Sequence, residues 1–300
     1  IAEDYETDKI EIEEVYTGSR NIKVGPEVID GFFKAGEVIL KEENLYPNQM
    51  VILEDSFGSS KSALARHLSG GKLVPLRFGN QDPFGLKARN KEQKFALELL
   101  LDEEVRLVTL IGKAGTGKTL IALASGLQKV VEDSRYRRLA VSRPVIPMGN
   151  DLGFLPGDIN EKLRPWMQPI YDNLEFLFNN RDKNEKIDQL VNSMKDLNIL
   201  ELEALTYIRG RSIPNQFLLV DEAQNLSPHE IRTVITRVGE GTKIVLTGDP
   251  YQIDHPYLDS NSNGLTFVVE RFKNEKIAGH ITLTKGERSD LAELGAKLLG

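Results

Sequence analysis

The sequence contains no cysteine among its 300 residues. This absence excludes disulfides, thiolate zinc sites and thiol catalysis, and it fits a reducing compartment, so we expect the protein in the cytoplasm. Long apolar runs are also missing: none approaches the ~20 residues that a membrane-spanning helix needs, which predicts no membrane association. The first residues are acidic and unlike a secretory leader.

An excess of positive charge is lacking as well, since the formal net charge is −7. The acids are concentrated at the start: residues 1–14 hold seven acids and one lysine, a net of −6, which leaves about −1 for the rest. A nucleic-acid partner is therefore not excluded, because local basic clusters can still contact phosphates. These clusters are Arg135/Arg137/Arg138, Arg209/Arg211 and Lys285/Arg288.

A glycine-rich turn stands between the apolar run at 107–111 and an apolar, helix-like stretch. It fits the phosphate-loop pattern of glycine, four residues, glycine, lysine and threonine. The glycines let backbone N–H groups and the positive end of the following helix face a phosphate chain. We therefore predict a nucleoside triphosphate site in which Lys118 reaches the β/γ-phosphates and Thr119 holds Mg²⁺. The predicted nucleotide-binding loop comprises Gly112, Lys113, Ala114, Gly115, Thr116, Gly117, Lys118, Thr119 and Leu120.

Two polar clusters follow later apolar runs. Asp221 and Glu222 come directly after the run at 217–220, and ligands of open α/β sheets sit at such strand ends. Asp221 is predicted to act on Mg²⁺, and Glu222 to polarise the attacking water. Thr247 ends the run that begins at 244, Asp249 and Gln252 follow it, and we interpret the three as a sensor of the γ-phosphate.

Asn90 and Gln93 allow two interpretations that do not exclude each other. Asn90 can cap a helix that begins at this point, with Gln93 at the third helical position. Alternatively, the Gln93 carboxamide can read adenine, because it donates and accepts hydrogen bonds at once, as the purine edge requires.

The order of apolar patterns predicts two domains: a small β-rich linker or accessory domain at 1–80, and an α/β domain with a parallel sheet at 81–300. In the first, the Gly58 turn is interpreted as a hairpin and not as a second phosphate loop. In the second, the predicted strands are 107–111, 139–142, 217–220, 244–247 and 281–283. The predicted helices are 90–103, 118–132, 158–179 (interrupted by prolines), 184–197, 228–238 and 290–299.

The motifs together resemble a known family. The phosphate loop, the Asp-Glu-Ala-Gln box at 221–224 and the Gly-Asp-x-x-Gln at 248–252 look like motifs I, II and III of superfamily 1 helicases. A finer resemblance, over about 85–300, is to PhoH-like ATPases. It rests on Gly85-Leu86-Lys87-Ala88-Arg89-Asn90-x-x-Gln93, Ser142-Arg143-Pro144, Gly153-Phe154-Leu155-Pro156-Gly157-Asp158, Tyr207-Ile208-Arg209-Gly210-Arg211-Ser212 and Thr284-Lys285-Gly286-Glu287-Arg288-Ser289.

This resemblance implies a RecA-like core, hydrolysis of ATP with Mg²⁺, a homo-oligomer in the form of a hexameric ring, and single-stranded RNA as a partner. It adds weight to the adenine role of Gln93 and points to Arg143, Arg209 and Arg211 as candidates for RNA binding. The end of the chain looks most like the branch in which a PIN nuclease domain precedes the PhoH part. No PIN domain is recognisable here, so a fused or associated PIN domain is expected only in a longer protein.

A single RecA-like core leaves the γ-phosphate open on one side. We therefore predict that Arg288 supplies a catalytic charge to the site of a neighbouring copy; the alternative is a local pair with Glu287 or Asp290. Two other functions share the phosphate loop. One is a kinase of a small metabolite. The other is a binding module in which the bound nucleotide controls assembly.

Overall fold

The computed structural model of the protein describes residues 15–41, 44–144, 159–181, 187–205 and 213–287. In chain order the elements are β1 (Ser19–Val24), α1 (Pro26–Ala35), β2 (Val38–Ile39), β3 (Met50–Asp55), β4 (Ser62–His67), β5 (Lys72–Pro75), α2 (Lys91–Leu101), β6 (Leu107–Gly112), α3 (Lys118–Leu127), β7 (Arg138–Arg143), α4 (Ile159–Arg181), α5 (Ile187–Asp196), β8 (Leu200–Ala204), β9 (Gln216–Val220), α6 (Pro228–Ile235), β10 (Lys243–Gly248), α7 (Gly264–Phe272) and β11 (Ala278–Leu283). Among the described helices, none has the length and apolar character that crossing a bilayer requires.

The larger sheet has six strands in the order β11-β6-β10-β9-β7-β8, and every neighbouring pair is parallel. Strand β9 shows why both faces are covered, because its successive apolar side chains enter two different cores. Phe217 and Leu219 pack with α2 to α5 on one face, whereas Leu218 and Val220 pack with α6 and α7 on the other. Parallel sheets need this double cover. The predicted α/β fold with a parallel sheet is confirmed.

A smaller sheet precedes it, in the order β1-β3-β4-β5-β2. This confirms the small β unit at the start of the chain, while the domain boundary at residues 80/81 stays a prediction. One element was not predicted from the sequence: helix α1, which lies between β1 and β2. Pro26 opens that helix, Gly36 ends it with φ 71°, and Ile29 and Phe32 pack against the sheet. These are ordinary start and stop signals.

The turn around Gly58 joins two antiparallel neighbours, β3 and β4, whose register pairs Glu54 with Ser62. The Asp55 carboxylate holds the turn by accepting hydrogen bonds from the Phe57 N–H, at 2.9 Å, and from the Ser59 hydroxyl. The hairpin interpretation of this glycine is therefore confirmed.

Further elements differ from the sequence-based expectation. Strand β8 and helix α7 were not predicted, although β8 alternates Leu and Glu and the Asn263 side chain caps α7 by accepting from the Thr266 N–H at 3.1 Å. Helix α4 continues through Pro165 and Pro169, and α3 ends at Leu127 in a π-helical turn. The helix predicted at 290–299 lies outside the described residues.

Helix α2 joins the two sheets, and buried polar contacts fix its C-terminal end. Arg66 of β4 makes an ion pair with Asp102 at 2.5 Å. From the other side, the Lys243 amino group donates to the carbonyl oxygens of Leu99, Asp102 and Val105 at 2.8, 2.6 and 2.6 Å. Burial lowers the pKa of Lys243 to about 7, but all three of its donors are satisfied. The opposite end of α2 contacts the phosphate loop, where the Gln93 amide donates to the Thr116 carbonyl at 3.1 Å.

Candidate active site

The candidate site lies where β6, β10, β9 and β7 end, side by side in the sheet. Because these four strands are parallel, the residues that follow them meet at one edge, where open α/β sheets bind ligands. The phosphate loop follows β6, the sensor residues lie at the end of β10 and just after it, and the Asp-Glu pair follows β9. The sequence motifs therefore converge although they are far apart in the chain.

The phosphate loop turns directly from β6 into α3. Gly115 and Gly117 have φ angles of 83° and 90°, in a region that glycine adopts without strain. The Lys118 amino group bends back onto the loop, donating to the carbonyl oxygens of Gly112 and Lys113, the latter at 3.1 Å. Thr116 closes the turn through its hydroxyl, which donates to the Lys113 carbonyl at 2.9 Å. The N-terminus of α3 thus faces a cradle of backbone groups, which suits an anion.

Two hydroxyls and one carboxylate meet at the end of β9. The Asp221 Oδ1 atom accepts hydrogen bonds from Thr119, at 2.7 Å, and from Thr247, at 2.6 Å. Asp221 and Thr247 are buried, so this group is fixed by packing as well as by hydrogen bonds. Hard oxygen donors of this kind fit Mg²⁺, which takes one or two protein ligands and keeps waters. The fold therefore brings Thr119 and Asp221 together, and their role as metal ligands stays a prediction.

Glu222 is held in a left-handed backbone conformation with φ 56° and ψ 39°. Such a conformation costs a non-glycine residue about 1 kcal/mol or more and is common at functional sites. Its carboxylate accepts from Arg143 at 3.2 Å and from the Gln224 amide at 2.6 Å. The side chain remains 38% exposed, so it can reach a ligand in the adjoining cavity.

Gln224 was not predicted as a site residue, yet its buried amide connects Glu222 with the sensor residues Asp249 and Gln252. Its nitrogen donates both to Glu222 and to the Gln252 carbonyl, the latter at 2.8 Å, and its oxygen accepts from the Asp249 N–H at 3.1 Å. Gly248 makes room for it, since a Cβ there would lie 2.3 Å from the Gln224 oxygen. The only sequence signal was its place in the Asp-Glu-Ala-Gln box.

Arg143 was predicted as a candidate for RNA binding, and the structure places it against the carboxylates. It ends β7, which lies beside β9, and its guanidinium contacts Asp221 at 3.4 Å and Glu222 at 3.2 Å. The RNA role of Arg143 stays a prediction. Arg209, Arg211 and Arg288, the other arginines singled out from the sequence, lie outside the described residues.

Gln93 both begins a helix and braces the loop. The capping interpretation is confirmed, because the Asn90 side chain accepts from the Gln93 N–H at 2.9 Å. The Gln93 amide is occupied at both ends: its oxygen accepts from the Arg89 N–H at 2.8 Å, and its nitrogen donates to the Thr116 carbonyl at 3.1 Å. Reading adenine would require at least one of these hydrogen bonds to exchange, so that role stays a prediction.

A cavity of about 420 Å³ connects these groups. It is bordered by the phosphate loop, α2, α4 and the segment that follows β11. That segment is fastened to the site, because the Glu287 N–H donates to the Gly115 carbonyl and the Asn90 amide donates to the Glu287 carboxylate, both at 2.9 Å. The residues that line the cavity include Leu86, Lys87, Arg89, Gln93, Lys118, Thr119, Leu120, Asn173, Phe176, Glu222, Asp249, Gln252 and Glu287.

We expect Gln93→Ala to raise the KM for ATP by about tenfold, the scale of one lost hydrogen bond in a binding site. The KM for GTP should rise much less, because the two nucleotides differ only in the base. Steady-state hydrolysis of both nucleotides measures this difference. Asn90→Ala is the matched control, since it removes the cap, costs about 1 kcal/mol of stability and should not discriminate between the bases. Equal losses for ATP and GTP in Gln93→Ala would leave Gln93 with the bracing role alone.

Comparisons with known proteins agree with the motifs. The family model described as PhoH-like protein matches residues 85–294. Protein PhoH2 of Bacillus subtilis is 49% identical over 304 residues, covering 100% of this chain and 68% of that protein. Protein PhoH2 of Mycolicibacterium smegmatis is 39% identical over 285 residues, covering 95% of this chain and 62% of that protein. The chain therefore spans about two thirds of the length of these relatives.

Among solved structures, the Pif1 helicase from Candida albicans is similar with a TM-score of 0.35. The two proteins share 18% sequence identity over 70% of this chain and 43% of the helicase. At these values the likeness carries no argument about function, so the functional conclusions rest on the site itself.

Proposed function

The chain belongs to the PhoH family, and from its site we propose that it is a Mg²⁺-dependent ATPase whose turnover is coupled to single-stranded RNA. Its fold is that of a P-loop NTPase, with a phosphate loop between β6 and α3. The observation that carries the proposal is the convergence of Lys118, Thr119, Asp221 and Glu222 at one edge of a parallel sheet. A phosphate loop alone would serve a kinase equally well. The Glu222 carboxylate beside the loop favours water as the acceptor.

Binding begins with the loop. Backbone N–H groups of the turn and the N-terminus of α3 bind the phosphates, because their dipoles point at the anion. Lys118 then exchanges the carbonyls of Gly112 and Lys113 for the β/γ-phosphates. Thr119 and Asp221 would hold Mg²⁺, which would neutralise phosphate charge.

Hydrolysis needs a water aligned with the γ-phosphate. Glu222 orients that water and accepts its proton, and the hydrogen bond from Gln224 fixes the carboxylate in direction. Because Gln224 also binds the Gln252 carbonyl and the Asp249 N–H, the sensor segment moves with Glu222. A change at the phosphate can in this way reach residues 249–252.

RNA enters the proposal through that sensor segment. Tyr251 and Tyr257, on either side of the residues that follow Gln252, are 67% and 82% exposed. Exposed aromatic rings stack on bases of single strands, at about 1–3 kcal/mol per base. Arg143, Arg209 and Arg211 are the candidate phosphate contacts. We further propose a hexameric ring in the cytoplasm, as the family resemblance implies.

ATP turnover with and without RNA tests this proposal. We expect Mg²⁺-dependent ATP hydrolysis that a 20-nucleotide single-stranded RNA accelerates, and an acceleration that falls with salt, since released counterions drive the binding. Phosphate release is measured beside the mass of the assembly in solution, so that the rate can be assigned to an oligomeric state. Duplex RNA of the same sequence is the control. If single-stranded RNA does not change the rate of hydrolysis, the ATPase proposal stands and the proposed coupling to RNA is contradicted.

A further inference from the structure

Arg143 stands in a position that nucleotide binding alone does not explain. Its guanidinium is bound on three sides: to Asp221 Oδ2 at 3.4 Å, to Glu222 Oε1 at 3.2 Å, and to the main-chain carbonyl of Trp166 at 2.6 Å. The side chain is only 15% exposed. One partly buried cation therefore holds both carboxylates that the proposed hydrolysis uses.

The two oxygens of Asp221 have different partners. Oδ1 accepts from the hydroxyls of Thr119 and Thr247, and Oδ2 faces Arg143. A metal ion beside Thr119 would share this carboxylate with the guanidinium. A dication and a guanidinium repel each other strongly when a few ångströms separate them in a partly buried site. Asp221 therefore cannot serve both cations equally well.

We propose that Arg143 and the metal ion exchange on Asp221. In this structure Arg143 neutralises Asp221 and Glu222. Mg²⁺ held at Thr119 and Asp221 would displace the guanidinium from Asp221 while its other contacts remain. This inference rests on the proposed function, since it names a positioning residue for that reaction.

The remaining contacts determine where the displaced guanidinium goes. Glu222 is still its partner, so Arg143 stays beside the carboxylate that orients the water. The Trp166 carbonyl belongs to α4, and Asn173 and Phe176 of the same helix border the cavity. Release of Arg143 from Asp221 would therefore affect both Glu222 and α4, because Arg143 contacts both of them.

A structural ion pair would behave differently from an exchanging one. If Arg143 only stabilised the fold, its removal would lower the melting temperature and affect nucleotide binding equally with and without metal. If it exchanges, its removal must change the extent to which metal strengthens nucleotide binding. The measurable quantity is therefore the ratio of two dissociation constants, which requires no hydrolysis.

The experiment measures the Kd of β,γ-methylene-ATP, once in EDTA and once in Mg²⁺, for the full chain and for Arg143→Gln. We expect the ratio of the Kd in EDTA to the Kd in Mg²⁺ to be about tenfold larger in the variant, within the usual range of coupling between two ligands. Without the guanidinium, Asp221 and Glu222 attract the metal more strongly. Arg143→Lys keeps the charge and should return the ratio to near the original value.

The matched control is Arg138→Gln. Arg138 lies at the other end of β7 and pairs with Glu201, so it is also a partly buried arginine in an ion pair, but away from the site. Its removal should leave the ratio unchanged. An unchanged ratio in Arg143→Gln, with nucleotide still bound, would overturn the exchange and leave the ATPase proposal standing. Absence of nucleotide binding in both EDTA and Mg²⁺ by the unsubstituted chain would overturn the proposed function and this inference with it.

Discussion

Glu222→Gln is expected to lower the rate of ATP hydrolysis by about a hundredfold or more while ATP binding stays intact, the scale of a positioned acid–base group. Glutamine has nearly the same shape and keeps one oxygen that can accept from Arg143 or from Gln224, but it cannot accept the proton of the attacking water. The left-handed backbone at this position makes the same demand on glutamine as on glutamate, since both have a Cβ. Single-turnover hydrolysis and equilibrium binding of ATP, measured on the same preparation, separate the two effects.

Lys118→Ala is the informative counterpart, because it should weaken nucleotide binding itself. The lysine reaches phosphate, whereas Glu222 orients the water. Lys118→Ala should therefore raise the Kd for ATP, and Glu222→Gln should lower the rate of hydrolysis. Glu275→Gln, an exposed glutamate after α7, controls for the loss of one negative charge elsewhere. Near-normal turnover in Glu222→Gln would remove the assignment of this residue as the base.

The phosphate loop could be predicted from sequence because its signal is local. Eight consecutive residues carry the geometry, and the structure forms it from the same residues, with Gly115 and Gly117 at positive φ. The Asn90 cap is local in the same sense, since donor and acceptor are three residues apart. Signals of this kind depend on short-range backbone geometry, which composition and spacing largely determine.

The position of Arg143 could not be predicted, because it depends on the order of strands in the sheet. Its partners Asp221 and Glu222 are 78 and 79 residues away in the sequence and become neighbours only because β7 pairs with β9. Connection along the chain would instead have placed β7 beside β6, but β10 and β9 lie between them. A motif shows which residues carry chemistry, and the topology decides which of them meet.

The Gln224 network shows the same limit at shorter range. Its three partners come from the ends of two strands, and the contact needs Gly248 to remain without a side chain. The helix α1 was missed for a different reason: only Ile29 and Phe32 are buried, so its apolar face is too short to distinguish from alternating strands. The periodicity of α1 was too weak to predict a helix, although Pro26 and Gly36 are recognisable start and stop signals.

Arg288→Ala is expected to slow ATP hydrolysis by about a thousandfold or more, the effect of a missing arginine at the γ-phosphate. Arg288 lies outside the described residues, but the residue before it is well placed: Glu287 borders the cavity and its N–H donates to the Gly115 carbonyl at 2.9 Å. Glu287 itself is engaged by Asn90, which weakens the case for a local pair with Arg288. Phosphate release by the purified variant measures the loss.

Mixing two inactive proteins tells whether this charge crosses a subunit boundary. Glu222→Gln and Arg288→Ala each disable every site of their own assemblies. In mixed rings, an arginine that acts in trans leaves some interfaces with both an intact Glu222 and an intact Arg288, so activity should return in proportion to those interfaces. An arginine that acts within its own chain gives no intact site in any mixture, because each chain lacks one of the two groups. Recovery in verified mixed assemblies therefore supports the neighbour's arginine, and its absence assigns Arg288 to its own chain. Full activity of Arg288→Ala alone would exclude the residue from the site.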